Sequence, residues 1–441
     1  MFGIHRWATL LIVTLASLQA SPVFAQEPEP QALSVMTYNV RVSSLYGWDS
    51  PGAVWYNTEA VLGNNATSGP HWQTMERGDA AAQTVLDSGA DIVGLQEYSN
   101  GPADLLGRLA ALGGGQWHYA DTSAGGILSR YEIAETTDGN YGARVVLPSG
   151  QSVWVFNTHY GLHPNWNDSY IPYAARDGHS EQEIIDFVHD LNNWGSTQPN
   201  IDADMQTALA SGLPVFFTGD FNEPSHLDWT QAAADAGYIP LAVDAPLSHH
   251  VIDTLGFTDG YHQDRLNDGE TEVSRWGYTW GSDVSGSADD DRIDFVYYQG
   301  DGVTVSDSTL IGEANGTGVN GSGDVDLAAW WNNDALHTVS DHRAVAIDFE
   351  LAPFILGDLT GDGFVGVADL DLLLANWGDS VAAYNRALGD PSGDGVVGQQ
   401  DLALVLANWS QGTAPDINIP EPGSLMLLGA GCILTARRRR R

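Results

Sequence analysis

Short apolar runs bounded by Gly, Pro or polar residues alternate, from about residue 32 to residue 351, with stretches in which apolar residues recur at helical spacing. Short runs rich in β-branched and aromatic residues are typical of buried strands, and apolar residues three or four positions apart are typical of helices. The pattern predicts strands at 33–40, 91–96, 144–147, 152–157, 214–218, 293–298 and 344–351, and helices at 76–86, 103–112 and 180–191. This mixture predicts an α/β or α+β domain with many antiparallel strand pairs.

Polar side chains suited to chemistry lie next to several of these predicted strands. Asp220 and Asn222 follow the run 214–218 and are two residues apart, so both side chains would lie on the same side of an extended backbone. The other residues of this kind are Asn39, Glu97, His159, Asp294, Asp341 and His342. Because ligands commonly bind at the strand ends of α/β sheets, the set predicts a shared site at one sheet edge.

The residue types of this set favour a hard metal ion and a phosphoryl group. Asn39, Glu97 and Asp341 supply oxygen donors, which suit Mg²⁺, Mn²⁺ or Ca²⁺. Zinc is the less natural ion, because the single cysteine lies in the C-terminal apolar segment. Two histidines beside carboxylates, His159 and His342, suit stabilisation of a phosphoryl group as it gains charge. Any one of these residues alone would be read as a loop cap or a structural side chain, but their occurrence together favours a functional site.

As an ordered set, these residues resemble the endonuclease/exonuclease/phosphatase superfamily, whose members have a DNase I-like fold, over about residues 32–352. The resemblance implies a four-layer α/β sandwich, in which two sheets are flanked by helices and the site lies at one sheet edge. It further implies that Glu97 and Asn39 bind a catalytic Mg²⁺ or Mn²⁺, with Asp341 as an additional ligand on the metal side.

The resemblance also implies roles in phosphoester hydrolysis for the remaining residues. Asp220 would orient or deprotonate the attacking water, and Asn222 and His159 would contact the phosphate. His342 would stabilise the charged transition state, oriented by Asp294, whose carboxylate would favour the imidazolium form.

Net charge limits the class of substrate. The chain has 57 acidic and 17 basic residues, all of the latter arginine, for a formal charge of −40. Such a surface repels polyanions and counts against tight nucleic-acid binding, which depends on Lys and Arg contacts to phosphate. A small phosphodiester, a phospholipid headgroup or a sugar phosphate is therefore the favoured substrate. An extracellular nuclease of the same superfamily and a non-catalytic surface display protein are the alternatives.

One predicted loop is rich in aromatic residues and carries a second histidine. His163 lies four residues after His159, but a glycine and a proline between and beside them oppose the helix that would place both on one face. His163, Trp166, Tyr170 and Tyr173 could line a substrate cleft, or could equally pack within the loop.

A duplicated acidic motif follows residue 353. The motif begins at Asp358 and recurs at Asp390, and each copy continues into a Leu-rich stretch that ends Leu-Ala-Asn-Trp. Its spacing matches positions 1, 3, 5, 7 and 12 of a calcium loop, with glycine at position 6. The predicted Ca²⁺ ligands are Asp358, Thr360, Asp362, Phe364 and Asp369, then Asp390, Ser392, Asp394, Val396 and Asp401. The repeat resembles a type I dockerin, which implies a small all-α module of paired EF-hand-like motifs at 353–412 and a cohesin-like scaffold partner.

The two terminal segments predict export. Residues 1–25 have the basic start, apolar run and small residues before the cleavage position that are typical of a signal peptide, and 26–31 form a spacer. Residues 413–441, with Pro-Glu-Pro, a short apolar stretch and terminal arginines, resemble a bacterial PEP-CTERM sorting signal. The resemblance implies contact with sorting machinery at the membrane, and a secreted or cell-surface location.

Overall fold

The computed structural model describes residues 30–40, 54–57, 72–75, 77–98, 101–161, 171–191, 194–280, 291–311, 340 and 342–413. The strands are β1 (Gln31–Asn39), β2 (Val54–Asn57), β3 (Trp72–Met75), β4 (Ile92–Gln96), β5 (His118–Thr122), β6 (Gly125–Ser129), β7 (Glu132–Thr136), β8 (Gly142–Val146), β9 (Ser152–His159), β10 (Val215–Asp220), β11 (Thr258–Asp259), β12 (Asp294–Gln299), β13 (Val303–Ile311) and β14 (Ala344–Leu351). The α-helices are α1 (Arg77–Asp87), α2 (Pro102–Ala111), α3 (Ile171–Arg176), α4 (Glu181–Leu191), α5 (Trp194–Ser211), α6 (Gln231–Ala236), α7 (Pro246–His249), α8 (Gly260–Asn267), α9 (Val367–Ala375) and α10 (Gln399–Ala407).

Two six-stranded sheets form the body of the protein. The first sheet has the order β13-β14-β1-β4-β6-β5, and the second has the order β11-β12-β10-β9-β8-β7. Only the central pairs β1–β4 and β9–β10 are parallel among the paired strands of these two sheets. Because parallel neighbours end at the same edge, the carboxyl ends of these four strands meet at one edge of each sheet.

Three apolar layers hold the sheets and helices together. Leu33 and Val35 of the first sheet share a buried cluster with Val155 and Phe216 of the second sheet. A second cluster packs α1 and α2 against the outer face of the first sheet. A third packs α5, α7 and the π-helical segment His250–Thr254 against the outer face of the second sheet. The order helix–sheet–sheet–helix confirms the predicted four-layer α/β sandwich.

Most of the predicted elements are confirmed, with longer bounds in several cases. The predicted strand pair at 144–147 and 152–157 is the antiparallel pair β8–β9, and the turn between them is closed by a hydrogen bond from Gly150 N to the Leu147 carbonyl. The β5–β6 hairpin, β13 and α5 were not predicted. In α5 the apolar residues do not form a clear stripe and a proline, Pro199, lies inside the helix, so the sequence pattern gave little signal there.

On the inner face of the central strands, the side chains change from apolar at the start of the strand to polar at its end. In β1 the residues on this face run Leu33, Val35, Thr37 and Asn39, and the first two belong to the cluster between the sheets. The alternate residues point outward towards α1 and α2. The same alternation in β9 and β10 ends with His159 and Asp220. The polar ends of these strands therefore face each other across the two sheets.

A buried polar contact joins the sheets just below these ends. The Asn157 side chain of β9 donates to the Leu95 carbonyl of β4 at 2.7 Å, and its Oδ1 accepts from Gln96 Nε2 at 2.7 Å. Thr218 Oγ1 also contacts Asn157 Oδ1, at 3.2 Å. Gly94 lies against this cluster, and a Cβ built there would be 1.9 Å from Thr218 Oγ1. The sheets thus approach so closely at this point that β4 has no room for a side chain at position 94.

Buried arginines fix the loops beside the second sheet. Arg292 donates to both Asp228 and Asp259, at 2.6 to 3.0 Å, and Arg265 donates to Asp228 at 2.8 Å. Burial alone would favour the neutral form of Asp259, but the Arg292 guanidinium outweighs it and lowers the pKa of that carboxyl. These pairs anchor the loop after β10 to the start of β12.

The loop after β10 is also tied to α7. Glu223 Oε1 accepts a hydrogen bond from Leu247 N at 2.7 Å, and His226 N donates to Ser248 Oγ at 2.9 Å. Burial raises the pKa of Glu223 to about 8, with the Leu247 hydrogen bond acting in the opposite direction. The segment that begins with Asn222 is therefore held from both sides.

The duplicated C-terminal segment folds as two similar units, each a loop followed by a helix, α9 or α10. A small apolar core of its own includes Val365, Leu373, Val397 and Val405. This module contacts the main domain through Tyr384, whose ring lies 4.0 Å from the Arg144 guanidinium. Within the described ranges, no helix combines the length and apolar character needed to cross a bilayer.

The close approach of the sheets predicts that Gly94→Ala destabilises the protein. The added methyl group would meet Thr218 and Asn157, so we expect the free energy of unfolding to fall by about 1–3 kcal/mol, as for other overpacked sites. Denaturant unfolding followed by circular dichroism measures the change.

Gly107→Ala is the matched control, because Gly107 lies inside α2 and a Cβ there meets nothing within 4 Å. Alanine is preferred over glycine in a helix interior, so this variant should be as stable as the natural chain or up to about 1 kcal/mol more stable. Equal stability of the Gly94→Ala and Gly107→Ala variants would show that the sheets are not in close contact at Gly94.

Candidate functional site

The strand register brings three predicted residues side by side at the edge of the second sheet. Asp220, the last residue of β10, lies opposite His159 on the parallel strand β9 and opposite Asp294 on the antiparallel strand β12. Asp220 and Asp294 are buried, whereas the side chain of His159 is 25% exposed. The site is therefore closed on the β12 side and open on the β9 side.

Asn39 connects the two sheets at the centre of the site. Its Nδ2 donates to Asp220 Oδ2 at 2.8 Å and to Glu97 Oε1 at 3.2 Å. The same nitrogen lies 3.4 Å from His342 Nε2. Asn39 lies in the first sheet, Glu97 directly follows β4 of that sheet, and Asp220 lies in the second sheet. The site therefore depends on the packing of one sheet against the other.

His342 lies between two carboxylates. Its Nδ1 is 2.8 Å from Asp294 Oδ2, and its Nε2 is 3.7 Å from Asp220 Oδ2. The order carboxylate, imidazole, carboxylate fixes the plane of the ring and directs Nε2 towards Asp220. Asp294 Oδ1 is buried and has no hydrogen-bond partner within the described part of the chain, so the contact with His342 is made by Oδ2.

Two hydroxyl groups position the backbone around this pair. Thr279 Oγ1 accepts from the backbone nitrogens of Ile293 and Asp294, at 3.0 and 3.1 Å. Ser340 Oγ donates to the Asn39 carbonyl at 2.5 Å and accepts from His342 N at 3.1 Å. Neither residue was assigned a role from the sequence, although Ser340 immediately precedes the Asp-His pair and was visible there as a polar neighbour.

His159 and Asn222 form the open side of the site. His159 Nε2 lies 3.4 Å from Asp220 Oδ2 and 4.0 Å from Glu97 Oε1. Asn222 Nδ2 donates to the Tyr160 carbonyl at 2.6 Å and lies 3.2 Å from His159 Nε2. Asn222 N donates to Asp220 Oδ1 at 2.9 Å, so the carboxylate is oriented by backbone as well as side-chain groups.

Two site residues have an uncommon backbone conformation. Glu97 has φ of 59° and Asn222 has φ of 50°, the left-handed region that residues with a Cβ seldom adopt. Glu97 directly follows β4 and Asn222 is the second residue after β10, at points where the chain must turn away while the side chain stays near the site. Such strain is typically retained at functional positions because the surrounding structure enforces it.

The pKa of Asp220 is raised by its surroundings. Burial raises the pKa of the Asp220 carboxyl, and the nearby Asp294 carboxylate raises it further. The imidazoles of His342 and His159 and the hydrogen bond from Asn39 act in the opposite direction. The net result is a carboxylate that accepts a proton more readily than an exposed aspartate does.

The donor set fits a divalent cation. Asp220, Asp294 and His342 have ligand-type atoms within 4.8 Å of one another, and Glu97 Oε1 shares the Asn39 amide with Asp220. A buried pair of carboxylates with one unpartnered oxygen calls for additional positive charge. Carboxylate oxygens such as those of Glu97 and Asp220 are ligands that hard divalent cations prefer.

The structure thus brings together Asn39, Glu97, His159, Asp220, Asn222, Asp294 and His342, all of which were predicted from the sequence. The predicted ligand Asp341 lies outside the described residues, as do the loop residues His163, Trp166 and Tyr170. The same is true of the Tyr173 side chain.

Several known proteins are similar to this chain. The chain is 27% identical over 249 residues to the uncharacterized protein F14F9.5 of Caenorhabditis elegans, covering 50% of this chain and 72% of that protein. An endonuclease/exonuclease/phosphatase structure from Bacteroides vulgatus is 16% identical and covers 73% of this chain and all of its own, with a TM-score of 0.38. The human Nocturnin catalytic domain with bound sulfate is 15% identical and covers 74% of this chain and 94% of its own, with a TM-score of 0.37.

Two family models match the chain directly. Residues 418–441 match the PEP-CTERM protein-sorting motif, which marks exported proteins associated with the cell envelope. Residues 36–342 match the model of the Endonuclease/Exonuclease/phosphatase family, whose members are hydrolases that act on phosphoesters. The matched range contains the end of β1 and all of β4, β9, β10 and β12, from which most of the site is built. The chain therefore belongs to the endonuclease/exonuclease/phosphatase family.

Proposed function

We propose that this protein is an exported, divalent-metal-dependent phosphoesterase. The observation that carries the proposal is the contact of Asp220 with Asn39 and with two imidazoles, His159 and His342, at the open edge of the sandwich. A base, a neutral donor and two groups able to carry positive charge are what hydrolysis of a phosphate ester requires in one place.

Asp220 is the residue best placed to activate water. Its carboxylate is held on Oδ1 by Asn222 N and on Oδ2 by Asn39 Nδ2, so its orientation does not depend on the substrate. Its raised pKa makes it a stronger base than an exposed aspartate, at the cost of being protonated at acidic pH. Asp220 would therefore orient the attacking water and accept its proton.

The remaining residues would hold the substrate and meet its charge. His159 and Asn222, on the open side, would contact the phosphate oxygens. His342, oriented by Asp294, would donate from Nε2 as negative charge develops. Glu97 and Asn39 would hold Mg²⁺ or Mn²⁺, with Asp341 as the further ligand proposed from the sequence. When bound, the ion would neutralise and polarise the phosphate.

The proposed substrate is a compact phosphate ester. The formal charge of −40 opposes a long polyanion in the absence of a compensating basic surface. We therefore favour a small phosphodiester, a phospholipid headgroup or a sugar phosphate over an extracellular nuclease substrate. A non-catalytic display function is less well supported, because the hydrogen bonds and strained turns of the site have no need to persist in a display protein.

We further propose that the C-terminal module binds Ca²⁺. In the first loop both oxygens of Asp358 accept backbone N–H groups, from Gly361 and Gly363, and in the second loop Asp390 does the same. Asp390, Asp394 and Asp401 have oxygens within 4.8 Å of one another. Burial raises the pKa of Asp358 and of Asp390, and their hydrogen bonds from backbone N–H groups act in the opposite direction. The full set of proposed ligands is the one predicted from the loop spacing.

The dockerin-like character of the module adds a proposed partner. Trp377, Leu406 and Trp409 are exposed large apolar residues on this module. Exposed aromatic and aliphatic side chains are typical of interaction surfaces. We therefore propose a cohesin-like scaffold protein as a partner of this module. The sorting machinery would act earlier, on the C-terminal segment.

The role of Asp220 predicts that Asp220→Asn removes most of the activity. The amide keeps the shape and can accept one of the two hydrogen bonds, from Asn222 N or from Asn39 Nδ2, but it cannot accept a proton from water. We therefore expect kcat to fall about 10²–10⁴-fold. Hydrolysis of bis-(p-nitrophenyl) phosphate with Mg²⁺ or Mn²⁺, with and without chelator, measures the change. Asp235→Asn, at an exposed position of α6, is the control and should keep full activity. Activity that is independent of metal, or unaffected by Asp220→Asn, would contradict the proposal.

The charge of Asp294 predicts a pH effect. Because that charge helps raise the pKa of Asp220, Asp294→Asn should lower the pKa of Asp220 and extend activity to lower pH. The acid limb of the kcat/KM profile should therefore move down in pH, while the maximum rate falls because the partner of His342 loses its negative charge. An acid limb that stays in place or moves up would show that Asp220 is not the group that titrates there.

Calcium binding predicts a rise in thermal stability. Ca²⁺, but not Mg²⁺ at equal concentration, should raise the melting temperature of the C-terminal module in the full chain. Asp362→Asn and Asp394→Asn each remove one ligand charge while retaining an oxygen, and should weaken the Ca²⁺ response. Asp371→Asn, an exposed position on α9, is the matched control. A melting profile that is insensitive to Ca²⁺ would rule out a calcium module without affecting the phosphoesterase proposal.

A further inference from the structure

A second cluster of potential metal ligands lies outside the phosphate site. His226, in the loop after β10, His249, at the end of α7, and Asp253, in the following π-helical segment, have ligand-type atoms within 4.8 Å of one another. The two imidazole rings are stacked, with centroids 3.8 Å apart and planes 15° from parallel. None of these residues belongs to the proposed catalytic set or to the acidic repeat.

The helix supplies two ligands at a spacing suited to chelation. His249 and Asp253 are four residues apart and lie on the same side of this segment. His249 Nδ1 contacts Asp253 Oδ2 directly. Both side chains are accessible, with 36% of His249 and 61% of Asp253 exposed, so an ion could enter from solvent.

The third ligand is held in place by a hydroxyl group. His226 Nδ1 lies 2.8 Å from Ser248 Oγ, which also accepts from His226 N and donates to the Ala245 carbonyl. This arrangement fixes the ring and leaves Nε2 as the nitrogen that can ligate. A metal-binding histidine commonly has its other ring nitrogen engaged in the same way.

His249 has a corresponding support on its far side. Its Nε2 contacts Asp244 Oδ1, so that Nδ1 is the nitrogen directed towards Asp253. A carboxylate on one nitrogen and a metal on the other is a frequent arrangement at zinc sites, where the carboxylate makes the imidazole a better ligand. The cluster therefore contains three ligands and two groups that orient them.

We propose that His226, His249 and Asp253 form a binding site for a borderline divalent transition metal, with Zn²⁺ as the representative ion. Two imidazole nitrogens and one carboxylate oxygen are a common zinc donor set, and they distinguish this site from the oxygen-rich Mg²⁺ and Ca²⁺ sites proposed above. A tetrahedral ion with bonds near ~2 Å needs ligand atoms ~3.3 Å apart. On binding, the direct His249–Asp253 contact would therefore open, and the stacked imidazole rings would turn so that both direct a nitrogen at the ion.

The bound ion would join the loop after β10 to α7. That loop begins with Asn222, and its other ties to α7 are the hydrogen bonds of Glu223 and His226. A metal bond is stronger than either of them, so its expected effect is to fix the loop that carries Asn222. The proposal does not depend on the catalytic role of Asn222, since metal binding is measured directly.

The test is a titration of the full chain with Co²⁺, a spectroscopic substitute for Zn²⁺, in buffer containing millimolar Mg²⁺ and Ca²⁺ to occupy the other sites. We expect one tightly bound Co²⁺ per chain, with visible absorption typical of a four-coordinate ion, and displacement by Zn²⁺. His226→Gln and Asp253→Asn should each weaken binding at least tenfold, and Asp244→Asn by about 10–100-fold through loss of the orienting carboxylate. Far-UV circular dichroism establishes that each variant is folded.

Two variants serve as controls. His179 and Glu183 are also four residues apart near the start of α4, but they are not part of this cluster, so His179→Asn should leave Co²⁺ binding unchanged. Asp220→Asn should also leave it unchanged, which separates this site from the catalytic one. Absence of tight binding by the natural chain, binding unaffected by His226→Gln and Asp253→Asn, or binding lost in Asp220→Asn would each overturn the proposal.

Discussion

The buried hydrogen bonds of Asn157 are the contact on which the rest of the site depends. They join β9 of the second sheet to β4 and β6 of the first, where the sheets are close enough to exclude a side chain at Gly94. Apolar packing between sheets has no strong directional preference, whereas a carboxamide with several partners accepts one arrangement only. The apolar cluster supplies most of the cohesion between the sheets, and Asn157 fixes their relative position.

This fixed position explains why a site divided between two sheets can be so well ordered. Asn39 on one sheet and Asp220 on the other are 2.8 Å apart, a distance that a small sliding of the sheets would break. The Asn39 amide also lies between two anionic oxygens, where it reduces their repulsion. Cohesion and chemistry are therefore arranged along the same strands, with the apolar residues below and the charged residues at the ends.

Much of this could be predicted from local sequence, and the reason is physical. Strands such as β1 and β10 are short apolar runs whose alternate residues share a face, so a polar residue at the end of the run stands out. The confirmed fold and the convergence of seven predicted residues follow from that pattern and from the family resemblance. The role of Asn157 could not be predicted, because its partners lie 31 to 62 residues away in the chain. The buried pairing of Arg292 with Asp228 and Asp259 is equally non-local. The stacking of His226 on His249 is also non-local, because it depends on α7 folding back against a loop about twenty residues earlier in the chain.

The shared gradient along the strands has a consequence for how this protein can change over evolution. Side chains in a strand alternate between faces, so inserting or deleting one residue within β10 would move Asp220 to the face that packs against α5 and bring a neighbour to the site. The same holds for β1 and β9, each of which ends in a site residue. These strands can accept single substitutions without moving the site residues, whereas a change in strand length would move them. Length variation within the family is therefore expected in the connecting loops, and changes of substrate with it.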